Sequence, residues 1–297
     1  MLLRYTLVTL IIFSFQKLQA QELYIMTEPA SNMPSKSLGI RLTNKLMPMR
    51  YSNNYSYRLE PEIMYGVNKH LMVHANMYAS DMFSGKFKFE GGAIYAKYRF
   101  LSLDDIHTHF RMAAFGKIST IGNPSYIIHT KQHELSDGTI HQESSKIYSS
   151  EIDLDGNNSG ASAGLLATQL LHKLAISATT SFTTKWKNVN AEKVPGFNNH
   201  TMNYSLSAGY LLFPKTYKNY HQTNVNLYVE LLGSWGLNNK DHYIDVAPGV
   251  QFILNSISRI DMAYRAQVTG DMLRYNTTSW LLRYEYNFLN LGTKKAK

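Results

Sequence analysis

The amino-acid sequence predicts an all-β protein, a transmembrane antiparallel up-and-down β-barrel of about 12 strands. Three observations predict this fold: polar and apolar residues alternate with a period of two, short and long connections alternate, and aromatic residues cluster near the ends of the alternating stretches. The 297 residues include no cysteine, which excludes a disulfide framework and a thiolate metal site. With 44% hydrophobic residues, the composition also argues against disorder.

Residues 1–20 are predicted to form a signal peptide that is cleaved before Gln21 during export. Arg4 gives the positive start, residues 5–15 form the apolar centre, and Ala20 ends a small-residue cleavage site. The apolar centre covers about half of a ~30 Å hydrocarbon core, so it is not predicted to span a membrane as a helix. The remaining predicted regions are a periplasmic N-terminal segment (21–35), the barrel (36–289) and a periplasmic tail (290–297).

The alternating stretches are each roughly ten to fifteen residues long. Between Leu174 and Trp186, for example, apolar residues take one parity, while serine and threonine take the other. Soluble β-sandwiches mostly use strands of ~5 to 6 residues, whereas a tilted membrane-crossing strand needs ~9 to 11, so the length favours a membrane barrel. About twelve strands are predicted, starting near Lys36, Tyr55, His70, Phe89, Ile106, Ser159, His172, His200, Gln222, Asp241, Ser258 and Thr277.

The connections between the strands indicate the same fold. If the first strand runs outward, the even-numbered connections lie at the periplasmic end, and all but one of them are tight. The odd-numbered connections are mostly longer, and the third, from Thr120 to Asn158, approaches forty residues. Bacterial membrane barrels combine short periplasmic turns with long outward loops in this way. Aromatic residues near both strand ends are placed as in the girdles at a lipid interface.

The mature region resembles a Gram-negative outer-membrane β-barrel of the porin or transporter-like kind. Besides the alternation itself, two stretches are similar to segments of uncharacterised barrels in that group: residues 27–34 (TEPASNMP) and residues 164–174 (GLLATQLLHKL). The resemblance implies export to the cell outer membrane but no particular activity. The sequence departs from many such barrels at its end, because residues 289–297 follow the aromatic Phe288.

If the apolar parity faces lipid, the charged parity faces the lumen, since a cation on the lipid face near the midplane would cost roughly 2 to 4 kcal/mol. In one interpretation, opposite charges on neighbouring strands pair and fill the lumen. In the other, Lys97, Arg99 and Arg111 bias a narrow pore toward anions. The residues predicted to line the lumen and set its selectivity are Arg41, Arg58, Glu60, Glu62, Lys97, Arg99, Arg111, Glu230, Asp245, Asp261, Arg265, Arg283 and Glu285.

The third outward loop is predicted to be a gate, because a loop of that length has a function or is disordered. It carries His129, His133 and His141, which can bind a divalent metal or respond to mild acid. The alternative is a polar surface loop that faces solvent and lipopolysaccharide. Methionines concentrated near the N-terminus either pack the strands or form a soft-metal site. No metal site and no cofactor is predicted.

The predicted function is an outer-membrane channel or transporter that passes small polar or anionic solutes through a charged lumen. The alternative is a plugged structural or adhesive barrel without transport. An enzyme is not predicted, because none of the eleven histidines has a serine two positions away, as in the outer-membrane phospholipase. The predicted partners are outer-membrane lipid, lipopolysaccharide and a small polar solute, without nucleic acid. The oligomeric state and the exact number of strands (10, 12 or 14) stay open.

Overall fold

The protein, described from a computed structural model, is a closed antiparallel barrel of 12 strands with a separate two-stranded hairpin in its described part. This confirms the predicted fold class. No helix in the described ranges has the length and apolarity needed to cross a bilayer. The predicted signal peptide (1–20) and most of the predicted tail (290–297) lie outside the described residues. The structure describes residues 24–51, 54–105, 108–134, 140–189, 191, 197–216, 221–289 and 291.

Every barrel strand begins within two residues of its predicted start. Long stretches with a period of two fix these positions, because a shift by one residue would turn each apolar side chain from the outer face to the inner face. The strands are β1 (Leu38–Pro48), β2 (Tyr55–Gly66), β3 (Leu71–Ser80), β4 (Lys88–Asp104), β5 (Thr108–Ile121), β6 (Tyr126–Glu134), β7 (Ile140–Tyr148), β8 (Gly160–Leu171), β9 (Leu174–Lys185), β10 (His200–Phe213), β11 (Asn224–Gly236), β12 (His242–Leu254), β13 (Ser258–Gly270) and β14 (Thr278–Phe288).

Neighbouring barrel strands are also neighbours in sequence, with two exceptions. Strand β5 pairs with β8, because β6 and β7 pair only with each other, and β1 pairs with β14 to close the barrel. In the closing pair, Leu38 lies opposite Phe288 and Arg41 lies opposite Glu285. On its other side, Arg41 lies opposite Glu62 of β2. The closure therefore places one arginine between two carboxylates on the inner face.

The two faces of the wall differ sharply in polarity. In β10, Leu206 and Tyr210 are exposed on the outer face, whereas Ser207 is completely buried on the inner face. In β14, Leu282 and Tyr284 alternate with inward polar residues in the same way. An apolar belt of this extent around a barrel, with polar residues inside, is the surface that faces lipid in a membrane.

Strand β4 contains a bulge that changes which residues face the lumen. Gly91 has a φ of +149°, a conformation that favours glycine, and the pairing with β3 shifts by one residue between Tyr78 and Ala79. Glu90, before the bulge, and Ala93, after it, are consequently both buried on the inner face although their parity differs. Strict alternation along β4 would have placed Glu90 on the lipid side.

Short connections lie at one end of the barrel and longer ones at the other. The short-turn end carries the tight β2–β3, β4–β5, β8–β9 and β12–β13 connections, together with the first residue of β1. The long-loop end carries the connection between β5 and β8, from which the β6–β7 hairpin arises. The sequence predicted this connection as a single loop without strands.

Candidate functional site

The chain before the first strand lies inside the barrel and crosses the lumen near the short-turn end. Tyr24, Ile25 and Ala30 are buried, and hydrogen bonds join this chain to β11 and to β4 on the nearly opposite wall. We call residues 24–34 the N-terminal plug. The sequence predicts residues 21–35 as a periplasmic segment. From Tyr24 onward the structure instead places it in the lumen, because wall side chains bind its backbone.

Glu230 of β11 binds the first turn of the N-terminal plug. Its carboxylate accepts the backbone N–H groups of Ile25, Met26 and Thr27 at 2.9, 2.7 and 2.9 Å. The Thr27 hydroxyl donates to the same carboxylate at 2.7 Å. Glu230 is completely buried. Hydrogen bonds to a buried carboxylate are stronger than neutral ones, so this residue is the main polar anchor of the plug's first residues.

Cations on the opposite side of the lumen bind the rest of the plug. The Lys97 ammonium donates hydrogen bonds to the carbonyls of Pro29 at 2.6 Å and Ser31 at 2.8 Å. The Arg111 guanidinium donates to the Ser31 hydroxyl at 2.8 Å. Lys97 is completely buried. Two residues that the sequence predicts as pore-lining cations therefore hold the plug in this state.

Arg41 joins the plug to the seam of the barrel. Its guanidinium contacts Glu28 of the plug at 2.9 Å, Glu62 of β2 at 2.9 Å and Glu285 of β14 at 2.8 Å. Glu28 lies outside the strands. Burial alone would raise the pKa of the Glu28 carboxyl, but the charges of Arg41 and Lys97 lower that pKa to about 2. Glu28 is therefore ionised at neutral pH and remains paired with Arg41.

Replacing Arg41 with methionine should destabilise the folded barrel by about 3–5 kcal/mol, because the substitution leaves the buried Glu62 and Glu285 and the half-buried Glu28 without their shared cation. Urea titration of the protein in lipid vesicles measures this loss. The control is Lys86→Met, which removes a cation that is exposed in the β3–β4 connection. Equal midpoints for the Arg41 variant and the control would contradict the assigned role of Arg41.

The third loop enters the lumen from the long-loop end just before β8. We call residues 150–158 the inner loop; Ile152, Leu154 and Asn157 are buried within it. The Arg58 guanidinium of β2 donates to the Asp155 carbonyl at 2.9 Å and to the Asn157 side chain at 2.7 Å. The inner loop therefore lies inside the lumen beside β2, toward the long-loop end.

Gly156 allows the inner loop to contact Arg58 closely. Its φ is +110°, and a Cβ atom there would lie 2.8 Å from the guanidinium carbon of Arg58. On either side, Asp155 pairs with Lys117 of β5, and Glu151 contacts Arg274 at 3.2 Å. Burial alone would raise the pKa of the Asp155 carboxyl, but the Lys117 charge holds that pKa well below its usual value. The inner loop is therefore attached to the wall through ion pairs.

A cavity of about 400 Å³ lies between the N-terminal plug and the inner loop. The strands β1 to β5 contribute charged side chains to its lining, including Arg41 and Lys117. The strands β8 to β10 contribute no charged group, and their polar groups include Ser162, Thr179, Ser181, Thr183, Asn203 and Ser205. Strands β13 and β14 and the loop between them add Arg265, Arg274 and Arg283. The wall formed by β8 to β10 therefore carries hydroxyl and amide groups, and charged side chains lie on either side of it.

The predicted lumen residues occupy the inner side of the wall, and most are paired there. Arg99, Arg265 and Arg283 are half-buried. Asp245 contacts Arg265 at 2.6 Å, and Asp261 lies near Arg283 at 3.9 Å. The predicted role of these residues in selectivity stays a prediction. The buried members are Arg41, Arg58, Glu60, Glu62, Lys97, Arg111, Glu230, Asp245, Asp261 and Glu285.

The three histidines that the sequence predicts as part of a gate lie on the β6–β7 hairpin. His129 is half-buried and His141 is exposed, while the side chain of His133 lies outside the description. The inner loop, which is the part of the connection that enters the lumen, contains no histidine. The inner loop, and not the stretch that carries the histidines, is therefore the described part of this connection that lines the cavity.

Several lumen residues were missed by the sequence-based prediction. Arg274 is not among the predicted lumen residues, but it is buried and contacts Asp245 at 2.9 Å. Arg274 lies in a loop, where residues do not alternate between two faces. The sequence therefore did not indicate that its side chain points inward. Arg259 and His74, in contrast, share the parity of their inward neighbours, so the strand pattern contained the signal.

Comparisons with known proteins show which solved structures share the fold of this chain, but they do not identify a family for it. No family model matches the sequence, and no curated protein matches it. The COG4313 outer membrane channel from Pseudomonas putida F1 is similar with a TM-score of 0.57 at 9% identity, over 89% of this chain and 100% of that chain. The KdgM porin has a TM-score of 0.45 at 9% identity, over 84% of this chain and 99% of that chain. This chain therefore has the fold of outer-membrane β-barrels.

Proposed function

We propose that the protein is an outer-membrane channel for small polar or anionic solutes, kept closed by its N-terminal plug. The observation that carries this proposal is the position of the plug: it crosses the lumen, it precedes the first strand, and non-covalent contacts hold it. The plug can therefore leave the lumen without breaking a strand pair. Conductance of the protein in planar bilayers, with and without the plug, tests the proposal.

The cavity and the outer surface support the same function. An apolar outer face suits lipid, and a polar interior with a cavity suits hydrated solutes. A barrel of twelve strands is also intermediate in size between small barrels filled by side chains and wide porins. In this barrel, backbone segments fill the space that the side chains leave. The similar structures named as channels support the proposal at the level of the fold.

The open pore should prefer anions. Without the plug, Lys97 loses its contacts with two carbonyls and with Glu28, and Arg283 loses a 2.6 Å hydrogen bond to the Ile25 carbonyl. Arg41 and Arg111 also lose plug partners, so among the described residues the cations that lose a plug partner and face the pore outnumber the one wall carboxylate that does so, Glu230. Reversal potentials in a KCl gradient should therefore show roughly two- to fivefold preference for chloride.

Neutralising two cations tests the origin of this preference. The double variant Lys97→Gln and Arg111→Gln, made without the plug, should bring the permeability ratio close to one. Lys187→Gln removes an exposed cation at the long-loop end and serves as the control. If the double variant and the control give the same reversal potential, the preference does not come from these residues.

A plugged structural or adhesive barrel is the second candidate function. The observation that favours it is that both the N-terminal plug and the inner loop are held by several buried polar contacts. This candidate predicts that the lumen stays sealed after the plug is removed. Adhesion would instead depend on the exposed β6–β7 hairpin, and deletion of that hairpin would abolish binding without changing permeability.

We propose the outer membrane as the location, with the short-turn end toward the periplasm and the long-loop end toward the exterior. The parity of the connections and the apolar outer face support this orientation. Lys86, Lys146 and Lys187 are exposed at the long-loop end, where they would contact the phosphates of lipopolysaccharide. Export by the predicted signal peptide is part of the same proposal.

A further inference from the structure

We infer that the cavity between the N-terminal plug and the inner loop binds an uncharged, hydroxyl-rich solute, such as a monosaccharide. This inference rests on the proposed channel function and names its solute class. The cavity volume of about 400 Å³ lies in the range of small-molecule sites. The polar groups of the cavity that have no partner determine the chemistry of the solute that fits it.

The charged groups of the cavity are already neutralised. Every charged side chain that lines it has an opposite charge within 4.0 Å in the described structure; Lys45, for example, contacts Glu60 at 2.7 Å, and Arg265 contacts Asp245 at 2.6 Å. A charged solute would have to separate such a pair or remain without a counter-charge, and both are costly in a buried site. The paired charges therefore disfavour ions as the bound solute.

In the part of the chain that the structure describes, two charged groups that line the cavity have a buried atom without a hydrogen bond, Glu60 Oε1 and Arg274 Nε, but these atoms are in ion pairs with Lys45 and Glu151. Among the described residues, the Tyr95 hydroxyl, the Thr179 hydroxyl and His74 Nε2 are buried and have no hydrogen-bond partner, and all three residues line the cavity. His74 Nδ1 contacts the Glu62 carboxylate at 2.5 Å, which leaves Nε2 as the ring nitrogen without a partner. Each of the two hydroxyls can donate or accept a hydrogen bond. The hydroxyl groups of a sugar also donate and accept, so they match these groups.

The shape of the lining also fits a sugar ring. The rings of Tyr95 and Phe115 stack with centroids 5.5 Å apart and line the cavity beside the wall of hydroxyl and amide groups. An aromatic surface contacts the C–H face of a sugar, while neighbouring hydroxyl and amide groups bind its edges. The neutral wall formed by β8 to β10 thus complements the aromatic pair on β4 and β5.

Calorimetric titration of the full chain in detergent with glucose, glucuronate and glucosamine tests the inference, because these three share one ring and differ in charge. Glucose should bind at least about tenfold more tightly than either charged analogue. Tyr95→Phe and Thr179→Val each remove one hydroxyl and should weaken glucose binding about three- to tenfold. The matched controls are Tyr98→Phe and Thr180→Val, which change outward-facing neighbours and should leave glucose binding unchanged.

Three outcomes overturn the inference. The first is that glucose, at up to about 100 mM, binds neither to the full chain nor to a variant without the plug, in which the plug cannot block entry. The second is tighter binding of a charged analogue, and the third is an equal loss in the inward variants and their controls. None of these measurements depends on conductance. A barrel that binds glucose but never conducts would contradict the channel function alone, and a channel that conducts but binds no glucose would contradict this inference alone.

Discussion

Removing residues 24–33 should convert a closed barrel into a conducting one, with a rise in single-channel conductance of about tenfold or more. The deleted residues cross the lumen, and the groups that bind them lie on wall strands that pair with one another without them. A twelve-stranded barrel without the segment has space for water and ions. Planar-bilayer recording of the purified variant measures the change, and an unchanged, silent lumen would support the plugged structural barrel.

A reversible disulfide crosslink distinguishes opening of the channel by movement of the plug from conductance that is caused by misfolding. The Ala30 N–H donates to the Thr168 hydroxyl at 2.9 Å, so the two backbones are close enough for an engineered disulfide. The native chain has no cysteine, and a pair at positions 30 and 168 therefore has no competing thiol. The oxidised Ala30→Cys and Thr168→Cys variant should stay closed at voltages that open the wild type. Reduction should restore the wild-type openings; openings in the oxidised protein would contradict movement of the plug.

Replacing Glu230 with alanine should have the second-largest effect, because it removes the carboxylate that accepts three backbone N–H groups of the plug. Hydrogen bonds to a charged group contribute about 1.5–3 kcal/mol each, so undocking should become easier by at least about 3 kcal/mol. This is a factor of about 100 in the equilibrium between docked and undocked plug. The open probability of single channels reports that equilibrium.

Two further variants show whether the effect acts through the plug. Glu230→Gln keeps one acceptor oxygen and should raise the open probability by about tenfold, less than alanine does. Glu143→Gln removes an exposed carboxylate on the β6–β7 hairpin and should leave the open probability unchanged. In the variant without the plug, Glu230→Ala should not change the gating. A gating change there would place the role of Glu230 in the wall itself.

The barrel could be predicted from the sequence because the residue pattern that produces it lies within each single strand. Each strand must separate lipid from polar groups, and this requirement imposes a period of two that is visible in the residues themselves, as in the stretch that begins at Leu174. The β6–β7 hairpin was missed because β7 is exposed from Ile140 to Lys146 and follows no lipid-facing alternation. Glu90 was missed because the bulge at Gly91 reverses the parity.

The contents of the lumen could not be predicted in the same way. The N-terminal plug has no periodic pattern, and its position depends on Glu230 and Lys97, which are far away in the sequence. The inner loop likewise depends on Arg58 and Lys117. These contacts form between distant parts of the chain across the interior, and a pattern within one segment does not contain them. The sequence predicted many of the charges that face inward but not what they bind.

The wall contacts of the N-terminal plug also constrain the order of assembly. The first residues of the N-terminal plug bind Glu230 of β11 and Arg283 of β14, which are among the last parts to be synthesised. Their final position is therefore undefined until the last strand is in place. Biogenesis then has two separable stages: the barrel closes first, and the N-terminal plug binds in its lumen afterwards. A time course of refolding into vesicles should show transient leakage of an entrapped dye before the permeability barrier is established.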